Sequence, residues 1–135
     1  MRLTIVLVLA VHTQSYSKGR GVSPGVATFI AAHLRSVDDL QLLVAFFNSN
    51  GRWWDTASVG RELRLGQDEA RRVLERFAAG NLLEIRLTDD VRYQFRPGTD
   101  TLRQGVAACV AEFGANPAAL VRAIVEGAGR DEPAR

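Results

Sequence analysis

The side chains here that could do chemistry are arginines, two histidines and one cysteine, and their spacing separates catalysis and metal binding from ionic recognition. Cys109 is the only cysteine and makes no internal disulfide. His12 and His33 come with no Cys or carboxylate at metal-ligand spacing. There is no phosphate-binding glycine loop, nucleophile elbow or HExxH helix, and local sequence supports no Ser/His/Asp arrangement. The expectation is a non-enzymatic protein with no cofactor and no structural metal, in a reducing compartment, the cytoplasm. What remains is ionic. Arginine supplies 16 of the 17 cations and keeps its charge throughout the accessible pH range. Against 15 Asp plus Glu this leaves a net charge of only +2, which neither demands nor excludes a polyanionic partner.

Three of the arginines fall in "LGQDEARRVLERF", residues 65 to 77. Ala70, Val73, Leu74 and Phe77 recur at i, i+3, i+4 and i+7, the stripe of an amphipathic helix. At about 100° per residue, Arg72 points most directly away from that stripe, between Asp68 and Glu75, with Arg71 and Arg76 on its flanks. Asp68, Glu69 and Glu75 cancel Arg71, Arg72 and Arg76. Two readings stay open. One is a solvated face in which Asp68 and Glu69 pair with Arg72, each pair stabilising the helix by about 0.2–0.5 kcal/mol, while the same acids complement the helix dipole. The other is a recognition helix whose arginines meet phosphate.

The elements around this helix follow from cap and period signals. Ser23 and Pro24 open a first helix over about 24 to 35, with Val26, Phe29, Ile30 and His33 on one stripe. Ser36 caps a second helix whose buried stripe is Val37, Leu40, Leu43, Val44 and Phe47, ended by "NSNG" at 48 to 51. "RWW", 52 to 54, is strand-like; Trp53 and Trp54 alternate, so that one packs in the core and the other lies partly exposed. Asp55 or Thr56 caps "ASVGRELR", and "LRLG" is the turn into the arginine-bearing helix, which Gly80 and Asn81 end. "LLEIRLTDDVRYQFRP", 82 to 97, alternates with period two on both sides of Asp89-Asp90. Leu83, Ile85, Leu87, Val91, Tyr93 and Phe95 are expected to face the helices, with Glu84, Arg86, Arg92, Gln94 and Arg96 outward. The expected fold is mainly α with a small β-hairpin: a winged helix-turn-helix with flanking N- and C-terminal helices. Its domain spans 23 to 135, with the helix-turn-helix at 55–80, the wing at 82–96 and a long C-terminal helix at 100–128. Residues 1 to 22 hold a nine-residue apolar run, Leu3 to Val11, too short for the roughly 20 residues of a membrane span. That segment is open to three readings: a short signal-like region, an added strand, or a tail upstream of the true start.

The stretch 36 to 83 resembles bacterial winged-helix regulators of the broad MarR/PadR type. Trp54, Asn81-Leu82-Leu83, the Tyr93-Gln94-Phe95-Arg96-Pro97 strand and "LRQGVAACVAEF", 102 to 113, are still more similar to a group of small uncharacterised bacterial winged-helix proteins. The resemblance covers most of 26 to 128. It implies duplex DNA as a partner, with the second helix of the motif in the major groove and the hairpin as a wing. Carried over residue by residue, it assigns DNA contact to Gln67, Arg71, Arg72 and Arg76 of the helix and Arg86 and Arg92 of the wing. Asp68 and Glu69 at the helix start and Asp89-Asp90 at the hairpin tip depart from that pattern. Winged helices also serve as protein-interaction modules.

The C-terminal stripe runs Leu102, Val106, Cys109, Phe113, then Leu120 and Ile124 beyond Pro117. Pro117 removes one helix hydrogen bond, so a kink or a brief break is expected there; the phase nevertheless survives it, predicting one surface about 40 Å long at roughly 1.5 Å per residue. Together with Phe29 and His33 of the first helix, these residues form the expected homodimer interface, as the resemblance implies for flanking helices. The alternative is a helix folded back on its own domain. Cys109 within the stripe is read as buried packing. The expected function is a dimeric DNA-binding transcription regulator; the alternative is an interaction module with a protein partner and no DNA.

Overall fold

A computed structural model describes residues 21–49 and 51–131, with side chains as far as Gly127. The expectations for the N-terminal apolar run and for Asn50 lie outside the described residues. The chain is mainly helical with a small antiparallel sheet. Its elements are α1 (Pro24–His33), α2 (Val37–Asn48), β1 (Trp53–Trp54), α3 (Thr56–Leu63), α4 (Gln67–Ala79), β2 (Leu83–Leu87), β3 (Val91–Phe95), α5 (Asp100–Ala115) and α6 (Pro117–Asp131). Two compact units emerge: Asp38–Val106, and the described residues up to Val37 together with those from Ala107.

Asp38–Val106 is organised around Phe46. Its ring meets Trp54 at 5.4 Å and Phe77 at 6.2 Å edge-on, and stacks on Phe95 at 6.0 Å. Leu40, Leu42, Leu43, Val59, Leu63, Ala70, Val73, Leu74 and Leu82 complete this core. The α4 stripe is buried as its spacing requires. The α2 stripe is rotated from the expected one: Phe46 is fully buried, whereas Phe47 is 39% exposed. Two adjacent phenylalanines sit about 100° apart, and α2 is apolar on enough of its circumference that period alone does not choose between them.

Local chemistry ends and restarts the helices. Asp55 caps α3 reciprocally: its carboxylate accepts from the Ser58 N–H at 2.8 Å, and its own N–H donates to the Ser58 hydroxyl at 3.1 Å. The turn into α4 puts Arg64 in the left-handed region, φ 59°, and the Leu65 N–H reaches the Gly60 carbonyl at 2.9 Å. A Cβ on Gly60 would sit 3.0 Å from the Leu65 carbonyl oxygen, so glycine is what lets this turn close. At the far end of α4, Asn81 takes the left-handed position, φ 68°. The Leu82 N–H then bonds the Phe77 carbonyl and the Asn81 N–H the Ala78 carbonyl, each at 3.0 Å, which satisfies carbonyls the helix leaves over.

The strands are ordered β1-β3-β2, with Leu83 opposite Phe95, Ile85 opposite Tyr93 and Leu87 opposite Val91, and Trp54 of β1 opposite Tyr93. Leu83 and Tyr93 are buried and Phe95 half-buried. Ile85, Leu87 and Val91, expected to face the helices, are instead exposed, by 47%, 75% and 41%. The period-two pattern continues toward the hairpin tip after the helical layer that could bury it has ended.

In the other unit, α1 packs against α6. Val26, Phe29 and Ile30 are buried on α1, Cys109 and Phe113 on α5, and Ala119, Leu120 and Ile124 on α6. Ser23 stands at the α1 N-cap but makes no side-chain cap; its N–H and hydroxyl both donate to the Glu112 carboxylate, at 2.9 and 2.8 Å. The C-terminal helix expected over 100–128, with a kink or a brief break at Pro117, is two helices bent by 119° across Asn116. Pro117 disfavours the helical conformation at the residue before it and supplies no N–H, while its fixed φ suits the first position of a new helix. The stripe spacing is therefore buried as expected, but on two helices rather than along one straight surface. Among the described residues no single helix is long and apolar enough to cross a membrane.

Candidate nucleic-acid interface

The outward face of α4 carries Gln67, Asp68, Glu69, Arg71, Arg72 and Glu75, all exposed. The structure brings the expected contact residues onto one unit but commits most of them elsewhere. Arg71 donates to Asp68 at 2.6 Å, so Asp68 pairs with i+3 rather than with the expected Arg72. Arg76 turns away from solvent and grips Asp39 of α2 with both terminal nitrogens, Nη1 to Oδ2 at 2.8 Å and Nη2 to Oδ1 at 3.1 Å. Asp39 is completely buried. Only Arg72 of the three α4 arginines makes no ion pair among the described residues.

The hairpin arginines are also engaged. Arg92 Nε lies 3.2 Å from Asp90 Oδ1, and this hydrogen bond and charge raise the Arg92 pKa. The Arg86 guanidinium carbon lies over the Trp53 ring, 4.2 Å from its centroid, and Arg96 pairs with Glu84 at 3.0 Å. Trp53, Arg86, Thr88, Asp89, Asp90 and Arg92 line an open depression of about 380 Å³ on the polar face of the hairpin. Its two arginines face two aspartates, so it holds no net charge for an anion.

Burial, then the neighbouring Asp39 and Glu69, raise the Asp38 pKa above the usual carboxylate value. Asp38–Val106 as a whole holds ten arginines and no lysine against eleven Asp and Glu, a formal charge of −1.

The residues expected at a dimer surface lie elsewhere. Phe29, Val106, Cys109, Phe113, Leu120 and Ile124 are all buried within one chain, and His33 and Leu102 are half-buried. Their apolar area is already removed from water without a second copy. His33 sets its ring edge-on to Phe29 at 4.6 Å, and burial lowers its pKa. Burial, and secondarily Glu112, pushes the Cys109 thiol up to about 12, which fits packing rather than reactivity.

Two features escaped sequence reasoning. The Asp39–Arg76 clamp joins residues 37 positions apart, beyond the reach of any local pattern. The apolar hairpin face of Ile85, Leu87 and Val91 was visible as alternation, but not as exposed alternation. Comparison of the chain with protein-family models, curated proteins and solved structures finds no match.

Proposed function

We propose that Asp38–Val106 is a winged helix used as a non-catalytic protein-interaction module in the cytoplasm. The succession helix, short strand, two helices at a tight turn and hairpin, with strand order β1-β3-β2, supports the winged-helix assignment. The observation that carries the function is the exposed face of Ile85, Leu87 and Val91 on a hairpin where Arg92 is paired with Asp90, Arg96 with Glu84, and Arg86 is laid on Trp53. Contiguous exposed apolar side chains on a soluble domain mark contact with another protein surface. Arginines already paired with carboxylates offer phosphate little.

The test is a titration of the full chain with duplex DNA at about 50 and 200 mM salt. The module reading expects no salt-sensitive binding. Tight binding with a steep salt slope, abolished in Arg72→Glu, overturns it.

A second reading, a dimeric DNA-binding regulator with α4 in the major groove, is favoured by one specific observation. Arg61, Arg64 and Arg72 lie exposed on α3, the turn and α4 with no ion pair among the described residues. Three phosphate contacts correspond to a log–log salt slope of only about −3 per chain. That is weak unless a second copy doubles it.

A further inference from the structure

Among the described residues the strand order leaves β2 at the edge of the sheet. Two bonds set the phase of its ladder: the Arg96 N–H donates to the Leu82 carbonyl at 2.9 Å and the Thr88 N–H to the Asp90 carbonyl at 3.1 Å. Bonds across an antiparallel pair alternate, so the even-numbered residues of β2 face β3. The N–H and C=O groups of Leu83, Ile85 and Leu87 then point to the open side. No backbone bond from the described loops and turns reaches them there. Natural edges are usually blunted by proline, a bulge or an inward charge. β2 has no proline, and its register with β3 is unbroken from Leu83 to Leu87.

The sequence of this edge is "LEIRL", apolar and symmetric about Ile85 except that one flank is acidic and the other basic. We propose that two copies of the chain pair antiparallel through β2, about a two-fold axis at Ile85; this rests on the interaction-module reading and names its partner. Under that operation Ile85 meets Ile85 of the second copy, and Leu83 meets Leu87. Glu84, still 46% exposed beside its own Arg96, stands opposite Arg86, exposed above Trp53, and by symmetry this happens twice, as an isologous contact requires. The Ile85 pair exchanges the outward N–H and C=O groups. Glu84 and Arg86 fall at the non-hydrogen-bonded positions, where facing side chains approach most closely, about 4.5–5.5 Å between Cβ atoms. The same operation sets Ile85 and Leu87, exposed in one chain, beside apolar partners in the other.

Charge selects this register over its nearest neighbours: moving the axis to Glu84 or Arg86 sets that residue against its own copy, two like charges. Moving it to Leu87 sets Glu84 against Asp90, again two like charges. Moving it to Leu83 sets Ile85 against Asn81 and Arg86 against Gly80, which lie between the end of α4 and the start of β2 and outside the strand.

Light scattering on the full-length chain across a concentration series reads the association. The expected result is a dimer that Glu84→Arg or Arg86→Glu alone weakens about 10-fold, because each substitution acts at both symmetric positions. The double exchange Glu84→Arg with Arg86→Glu restores the affinity to within about 3-fold. Circular dichroism confirms that each variant stays folded, and Leu87→Lys, at the most exposed position, serves as an independent dissociating variant. A monomer at about 100 µM overturns the proposal. So does a dimer that the single exchanges leave unchanged, or one that the double exchange fails to restore. The interaction-module reading fails separately, through tight Arg72-dependent binding in the DNA titration.

Discussion

The Arg76 guanidinium meets the Asp39 carboxylate in a two-bond contact, 2.8 and 3.1 Å, that ties the last turn of α4 to the first turn of α2. Asp39 is fully buried while the Arg76 side chain is 34% exposed, so arginine can leave for solvent and aspartate cannot. Removing the cation takes this two-bond partner away from a buried carboxylate. Arg76→Ala is therefore expected to cost about 3 kcal/mol, toward the low end for a broken buried pair because one partner is part-exposed. The double variant Asp39→Leu with Arg76→Leu should recover most of that loss. Urea denaturation of Asp39→Leu, Arg76→Leu and the double gives the coupling directly, and a double variant as unstable as the sum of those singles would refute the clamp.

The Asp55 cap carries a pH signature. Hydrogen bonds from the Ser58 backbone and hydroxyl lower its pKa, more than burial raises it. A carboxyl with a depressed folded pKa contributes stability that is fully present above its unfolded value, about 3.9, and is lost as pH falls through the folded value. Asp55→Ala should cost about 1 kcal/mol at neutral pH. The deficit relative to the parent should shrink on acidification below about pH 4. Thermal melts of both proteins at neutral and acidic pH check this, and a deficit independent of pH would remove the ionised cap as its cause.

Cys109 is predicted to be inert in the native protein. It is buried, with its thiol pushed up to about 12, first by burial and then by Glu112. A thiol reagent at mildly alkaline pH should leave it unmodified until guanidinium is added, when the single cysteine reacts stoichiometrically. Rapid labelling of the folded chain would contradict the packing described for α5.

Legibility in the sequence followed how local each determinant is. The α4 stripe, the Asp55 cap and the Asn81 terminus depend on residues within a turn or two of one another, and each stands where its spacing puts it. The choice of Phe46 over Phe47 depends on which ring meets Trp54, Phe77 and Phe95, and so on packing across the whole unit. The stripe through Leu120 and Ile124 keeps helical phase across Pro117, yet phase holds no information about a 119° bend. Among the candidate site residues, Arg72 is outward as reckoned. Arg76 is not, because a carboxylate 37 residues earlier in the chain claims it.

Trp53 and Trp54 share one peptide bond but not one environment. Trp54 is buried against Phe46, while Trp53 is half-buried beneath Arg86 on the polar face of the hairpin. The chain thus contains two fluorophores whose emission reports on different events. Trp54 follows the loss of the core on unfolding, and Trp53, within reach of a soluble quencher, follows whatever approaches or displaces Arg86. With Trp53→Phe and Trp54→Phe separating their signals, the chain becomes its own spectroscopic probe of both folding and association, with no dye attached.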